Sequence, residues 1–241
     1  MRSSQNSNAG AERGLPNVEP VSEPQHVGGP RAVYDASADA YVRFVGVEIS
    51  AATEGSIDRA LLYAFVDMAS AANSGRIADI GCGPGRVAAF LARLGVDVVG
   101  FDVSTAMLDN ARIAHPAITF EQGQLDAVPV PDASLIGAVC WYSIIYTPPE
   151  LLNDAFLELR RTLVSGGYLL LAFQAGRSED RHRPDAHGTG LPLTSYLHDP
   201  DVVATVLSDA GLQLHTRAVR QAEFAHETSP QAFLIARALP A

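Results

Sequence analysis

The sequence predicts an α/β fold: a doubly wound seven-stranded sheet, mostly parallel, with an antiparallel strand pair at its C-terminal end and helices on both faces. Three observations predict it. Between Gly75 and Phe173, short apolar runs alternate with amphipathic stretches, the pattern of parallel strands covered by helices. The first run ends in Gly81-Cys82-Gly83-Pro84-Gly85, at the strand end where open parallel sheets carry their ligands. Two further strand-like runs close the chain with no helical segment between them, so they can pair antiparallel.

Taken in order, residues 1–30 carry four Pro, four Gly and four Ser and no aromatic residue. Such a segment buries too little to offset its ordering entropy and reads as a disordered tail. Residues 31–241 read as one domain. Its first helix runs from Tyr34 towards Val45, and a second starts at a Ser56 cap and carries Leu61, Leu62, Phe65, Val66 and Ala69 on one face. Residues 31–74 are therefore expected to lie as helices over the active site. Strands are expected at Arg76–Ile80, Val96–Phe101, Ile118–Glu121, Leu135–Trp141 and Tyr168–Phe173, with helices at Arg86–Leu94, Thr105–His115 and Glu150–Val164 between them. Residues 174–198 form a polar insertion, expected to be a lid over the substrate. A helix capped by Asp199 with Pro200 in its first turn follows, ending at Ala210-Gly211. Strands at Leu212–Ala222 and Gln231–Arg237 finish the chain.

Composition narrows the function. The 241 residues are 47% apolar and carry a formal charge of −10, enough for a core and the wrong sign for a general nucleic-acid or anionic-membrane binder. Two cysteines, Cys82 and Cys140, make no disulfide framework and no zinc spacing, so no metal is expected. The N-terminal residues lack a signal-peptide core, and no segment has the roughly 18 apolar residues of a membrane span. The expectation is a cytoplasmic protein, monomeric or homodimeric, acting on a small molecule.

The glycine loop is the most informative segment. Three glycines spaced GxGxG let a ligand approach the backbone and permit positive φ. The second strand ends at Asp102, 21 positions after Gly81, where a carboxylate can accept both hydroxyl protons of a ribose. Dinucleotide-binding loops share this logic but read GxGxxG; here Arg86 stands at the third glycine's position. Asp79, two places before Gly81, would repel a pyrophosphate but suits an ammonium or sulfonium group. An adenosine with a cationic far end fits both carboxylates, and S-adenosylmethionine is such a ligand.

On these residues the sequence resembles the class I S-adenosylmethionine-dependent methyltransferases, a Rossmann-like family. Asp79-Ile80-Gly81-Cys82-Gly83-Pro84-Gly85 is similar to the family's first motif, and Val99-Gly100-Phe101-Asp102-Val103-Ser104 with Met107-Leu108 to its second. Gly123-Gln124-Leu125-Asp126-Ala127-Val128-Pro129-Val130 resembles the segment after the third strand, and Leu163-Val164-Ser165-Gly166-Gly167 the turn before the fifth. The resemblance implies S-adenosylmethionine as cofactor, S-adenosylhomocysteine as product, and transfer to an O, N or C acceptor. It implies that Asp102 holds the ribose, Val103 and Met107 flank the adenine, and Gln124 and Leu125 meet its edge; the family commonly has Asp where Gln124 stands. Gly81, Gly83 and Gly85 would pass beside the methionine, near Asp79 and Cys140. Tyr34 and Tyr41 match the opening YDxxAxxY pattern and would cover the methionine end, with Arg43 near its carboxylate.

A sulfonium methyl is already activated, so alignment carries most of the catalysis, on the order of 7–11 kcal/mol in favourable models. A base matters only for an acceptor that arrives protonated. His187 in the insertion is the expected base. Tyr142 and Tyr146 follow the fourth strand, Tyr146 standing where many relatives carry His. A non-catalytic S-adenosylmethionine-binding regulator is the alternative; a nucleotide-dependent oxidoreductase is disfavoured by Asp79 and Arg86.

Overall fold

The structure, a computed structural model, describes residues 24–72 and 74–240. In chain order it contains α1 (Gln25–Val45), α2 (Ser56–Ala72), β1 (Arg76–Ile80), α3 (Arg86–Arg93), β2 (Asp97–Asp102), α4 (Thr105–Ala114), β3 (Thr119–Gln122) and β4 (Leu135–Trp141). There follow α5 (Leu152–Thr162), β5 (Leu163–Gln174), β6 (Glu179–Arg183), β7 (Leu193–Leu197), α6 (Pro200–Asp209), β8 (Leu212–Arg220) and β9 (Gln231–Ala238). Seven strands form one sheet in the order β3-β2-β1-β4-β5-β9-β8. β1 to β5 pair parallel, and β9 runs antiparallel between β5 and β8. The expected architecture is the observed one.

Burial on both faces explains the apolar runs: β1, β4 and β9 are almost wholly buried. One side of the sheet packs Leu62, Phe65 and Val66 of α2 with Val87 and Leu91 of α3. The other packs Leu152, Phe156 and Leu159 of α5 with Val203 and Leu207 of α6. Among the described residues no helix is long and apolar enough to cross a membrane.

One expectation needs correction and another gains detail. The tail assigned to residues 1–30 is helical from Gln25, and residues 1–23 lie outside the described residues. Gly28, Gly29 and Pro30 are poor helix formers, but Val27, Pro30 and Val33 are buried in α1, so tertiary packing overrides local preference. Within the polar insertion, expected as a lid, β6 and β7 pair as an antiparallel hairpin. Leu193, Ser195 and Leu197 are buried at every second position, and Ala186 and Leu193 pack against Val33 of α1. The hairpin thus closes over the same helix that covers the sheet's carboxyl edge.

β1 lies between β2 and β4, so the chain leaves neighbouring strand ends in opposite directions. That switch point opens a crevice at the strand tips, and α1 lies across it, fastened to α4 by a 2.6 Å hydrogen bond from the Ser104 hydroxyl to Asp35.

Candidate active site

The loop after β1 is shaped by backbone demands. Gly81 has φ +77°, and a Cβ there would lie 2.3 Å from the Ser143 Cβ. Gly83 has φ +51° with open space where a side chain would project. Its N–H donates to Asp102 Oδ2 at 2.8 Å, and the Ser104 N–H donates to Oδ1 at 2.9 Å. Each oxygen of this buried carboxylate therefore keeps a lone pair for a ligand hydroxyl. Burial pushes the Asp102 carboxyl upward, opposed by those backbone donors.

Asp79 is buried at the end of β1. Its Oδ2 accepts the Ala88 N–H at 2.9 Å, while Oδ1 has no hydrogen-bond partner among the described residues. Burial pushes this carboxyl up to about 7. An orphaned buried carboxylate oxygen is costly unless a ligand completes it.

Both carboxylates open into one cavity of about 480 Å³. It brings together Tyr34, Tyr41, Asp79, Gly81, Gly83, Asp102, Val103, Met107, Gln124, Leu125, Tyr142, Tyr146 and His187. Three residues expected at the site are elsewhere. Arg43 is exposed and does not line the cavity, because a residue two positions from Tyr41 on a helix faces the opposite side. Cys140 is fully buried in the core beneath α5: strand alternation turns Trp141 to the cavity and Cys140 away. Burial pushes the Cys140 thiol up to about 12, which leaves it protonated. Gly85 lies behind the loop; its φ is +81°, and a Cβ would meet Phe120 at 2.7 Å, so it permits packing rather than facing the cavity.

An aromatic cluster forms the roof. The Tyr34 and Tyr146 hydroxyls are hydrogen-bonded to each other, and the Tyr34 ring lies 5.4 Å from Tyr41 and 5.8 Å from Tyr146. His187 adds its ring 5.6 Å from Tyr34 and 6.2 Å from Tyr41, at the cavity mouth. Burial raises the phenols of Tyr34 and Tyr41 and pushes Tyr146 up to about 12, keeping them neutral. Burial, aided by the Arg183 charge, lowers the His187 imidazole and favours its neutral form. Tyr142 has φ +63°, a strained conformation for a bulky residue of the kind that collects at functional sites.

Other lining residues escaped the sequence reading. Arg86 pairs with Glu54, both nearly buried, and also donates to Thr53 at 3.0 Å. His26 of α1 lies 3.5 Å from Asp126 across the cavity rim. Trp141 lines the cavity with its indole N–H unpartnered among the described residues. Glu227 lines it from the β8–β9 connection, held by Arg220, which also grips Asp58. Partners 32 residues apart, as Glu54 and Arg86 are, leave no local sequence signal; only the position of Arg86 beside the glycine loop pointed to it.

The arrangement fits an adenosine with a cationic tail: an unpartnered carboxylate oxygen at Asp79, lone pairs on Asp102, and a backbone cradle at Gly83. Comparison with known proteins agrees with this geometry. Residues 77–167 match a family model described as a methyltransferase domain. A malonyl-(acyl-carrier protein) O-methyltransferase of Enterobacter lignolyticus (strain SCF1) is 32% identical over 43% of this chain and 40% of its own length. The chain spans between 38% and 54% of the first curated relatives it matches. Among solved structures, magnesium protoporphyrin IX methyltransferase (ChlM) from Synechocystis PCC 6803, with bound S-adenosylmethionine, superposes with a TM-score of 0.64 at 17% identity, covering 91% of this chain and all of that one. The (4+2)-cyclase SpnF reaches a TM-score of 0.68 at 17% identity, over 92% of this chain and all of SpnF. Residues 77–167 therefore match a methyltransferase domain, and the sheet order and the solved structures show the fold of class I S-adenosylmethionine-dependent methyltransferases.

Proposed function

We propose that this chain binds S-adenosylmethionine and transfers its methyl group, by in-line displacement, to an oxygen, nitrogen or carbon atom of a small-molecule acceptor. The observation that carries this reading is the pair of carboxylates, Asp79 and Asp102, opening into one cavity from the tips of neighbouring strands. When bound, the cofactor supplies a methyl already activated by its sulfonium and leaves as S-adenosylhomocysteine.

The chain's own residues bind and align. Asp102 accepts the ribose hydroxyl protons with the lone pairs its backbone donors leave free. Asp79 Oδ1 accepts from the cofactor ammonium. Val103 and Met107 flank the adenine, while Gln124 and the Leu125 N–H serve its edge. Tyr34 and Tyr41 exclude water from the methionine end, which strengthens electrostatic contacts there. Tyr142 and Tyr146 stay protonated and orient the acceptor. For an acceptor that arrives protonated, His187, held neutral by burial, takes the proton. The charge of −10 supports a small molecule over a nucleic acid.

Titration calorimetry with S-adenosylhomocysteine tests the reading. Asp102→Ala removes two charge-assisted hydrogen bonds and is expected to weaken binding roughly a hundredfold or more. His187→Ala is expected to leave affinity within about threefold of wild type, since its role is assigned to the acceptor and not to the cofactor. Equal affinity in wild type and Asp102→Ala would sink the assignment. Binding without S-adenosylhomocysteine release from S-adenosylmethionine on any acceptor would point instead to a regulatory binder.

A further inference from the structure

The hairpin wall of the cavity contains a cation without a counter-charge. Side chains alternate along β6. His182 contacts Thr194 across the hairpin, Nδ1 to Oγ1 at 3.2 Å, and lines a second cavity of about 240 Å³. Arg181 and Arg183 take the other face. Arg181 donates to the Thr228 hydroxyl at 2.8 Å. Arg183 lines the main cavity with His187 and Tyr146, and its charge acts on both. Its exposed guanidinium has no ion pair or hydrogen bond among the described residues.

Among the charged groups around it, Asp79, Asp102 and Asp154 line the same cavity with no ion pair among the described residues, the first two assigned above to the cofactor, and the others are already matched. Arg86 is neutralised by Glu54, Glu227 by Arg220, and Asp126 faces His26. A guanidinium is a planar fork that fits two oxygens of one anion at once. The adjoining surface is aromatic, from Tyr34, Tyr146 and His187. A doubly charged phosphoryl group would call for a second cation, and the lining offers no other free guanidinium or ammonium among the described residues. A singly charged, planar carboxylate needs one fork.

We infer that Arg183 determines acceptor specificity: the methyl acceptor bears a carboxylate that the Arg183 guanidinium grips at the cavity mouth, with the acceptor's apolar body against Tyr34 and Tyr146. This inference rests on the methyltransferase reading and names the acceptor's chemical class.

The test uses the full chain saturated with S-adenosylhomocysteine and a panel of aromatic and aliphatic monocarboxylates, each paired with its neutral primary amide. Calorimetry is expected to show the best acids binding about tenfold or more tighter than their amides, the worth of one charge-assisted contact. Arg183→Gln is expected to abolish that preference and Arg183→Lys to keep part of it, with unchanged melting temperature and S-adenosylhomocysteine affinity in both. Amides binding as tightly as acids, an acid preference that survives Arg183→Gln, or binding of no carboxylate in the panel would each overturn the inference. A wild-type chain that fails to bind S-adenosylhomocysteine would remove the underlying reading, whereas tight binding with no acid preference removes only the role of Arg183.

Discussion

Asp79 is a carboxyl group with one oxygen bonded and the other bare, deep at the end of β1. Folding moves its pKa from an ordinary 3.8 to about 7. Between those values the folded state holds a proton that the unfolded chain has released, so stability falls as pH rises through this window. Urea melts of the ligand-free protein are therefore expected to show wild type losing stability between about pH 4 and pH 7 relative to Asp79→Asn. A ligand ammonium reverses the logic by favouring the ionised form: S-adenosylhomocysteine affinity should climb as pH passes about 7 in wild type and stay flatter in Asp79→Asn. Identical pH profiles for the two proteins would refute the assignment of Asp79. At the other carboxylate, Asp102, burial also pushes the pKa upward, but two backbone donors oppose it.

Elements are joined by interactions of very unequal worth. Arg220, at the end of β8, bonds Asp58 in α2 and Glu227 in the β8–β9 connection, each at 2.6 Å, and all three side chains are nearly buried. Removing the cation strands two buried carboxylates, so Arg220→Ala is expected to cost about 3–5 kcal/mol in denaturant melts. Arg217→Ala, which removes an exposed pair with Asp201, is expected to cost less than about 1 kcal/mol. A loss for Arg220→Ala no larger than that for Arg217→Ala would contradict this reading of the network. Elements governed by periodicity were legible in the sequence: β1 and β4 lie at the expected residues, because burial on both faces demands continuous apolar runs. The glycine loop and Asp102 were legible because positive φ at Gly81 and Gly83, and Ser143 Cβ 2.3 Å from where a Gly81 Cβ would stand, restrict the residue type. The start of α1 and the β6–β7 hairpin were not, since Val33, Ala186 and Leu193 stabilise each other only across the fold. Arg43 and Cys140 were misplaced by phase: each neighbours a residue that lines the cavity, Tyr41 within two positions and Trp141 within one, and faces the other way.

At the scale of the molecule, the sheet supplies the floor of the site and α1 with the hairpin supplies the roof. The floor is held by two cores, one on each face of the sheet. The roof has far less beneath it: the small cluster around Val33, the Asp35 contacts to Ser104 and Ala106, and the pair of His26 with Asp126. Regions with few buried apolar contacts open at lower free energy than the core. α1 covers Asp102 and the glycine loop with Tyr34 and Tyr41, and through Val33 it also supports the hairpin that carries Arg183 and His187. On the proposed function one helix thus shelters both reactants, so displacing it to exchange the nucleoside also loosens the acceptor's enclosure. Donor and acceptor must then be resident together before either product departs, and double-reciprocal initial-rate plots are expected to intersect; a parallel set would mean that the shared shelter imposes no such order on turnover.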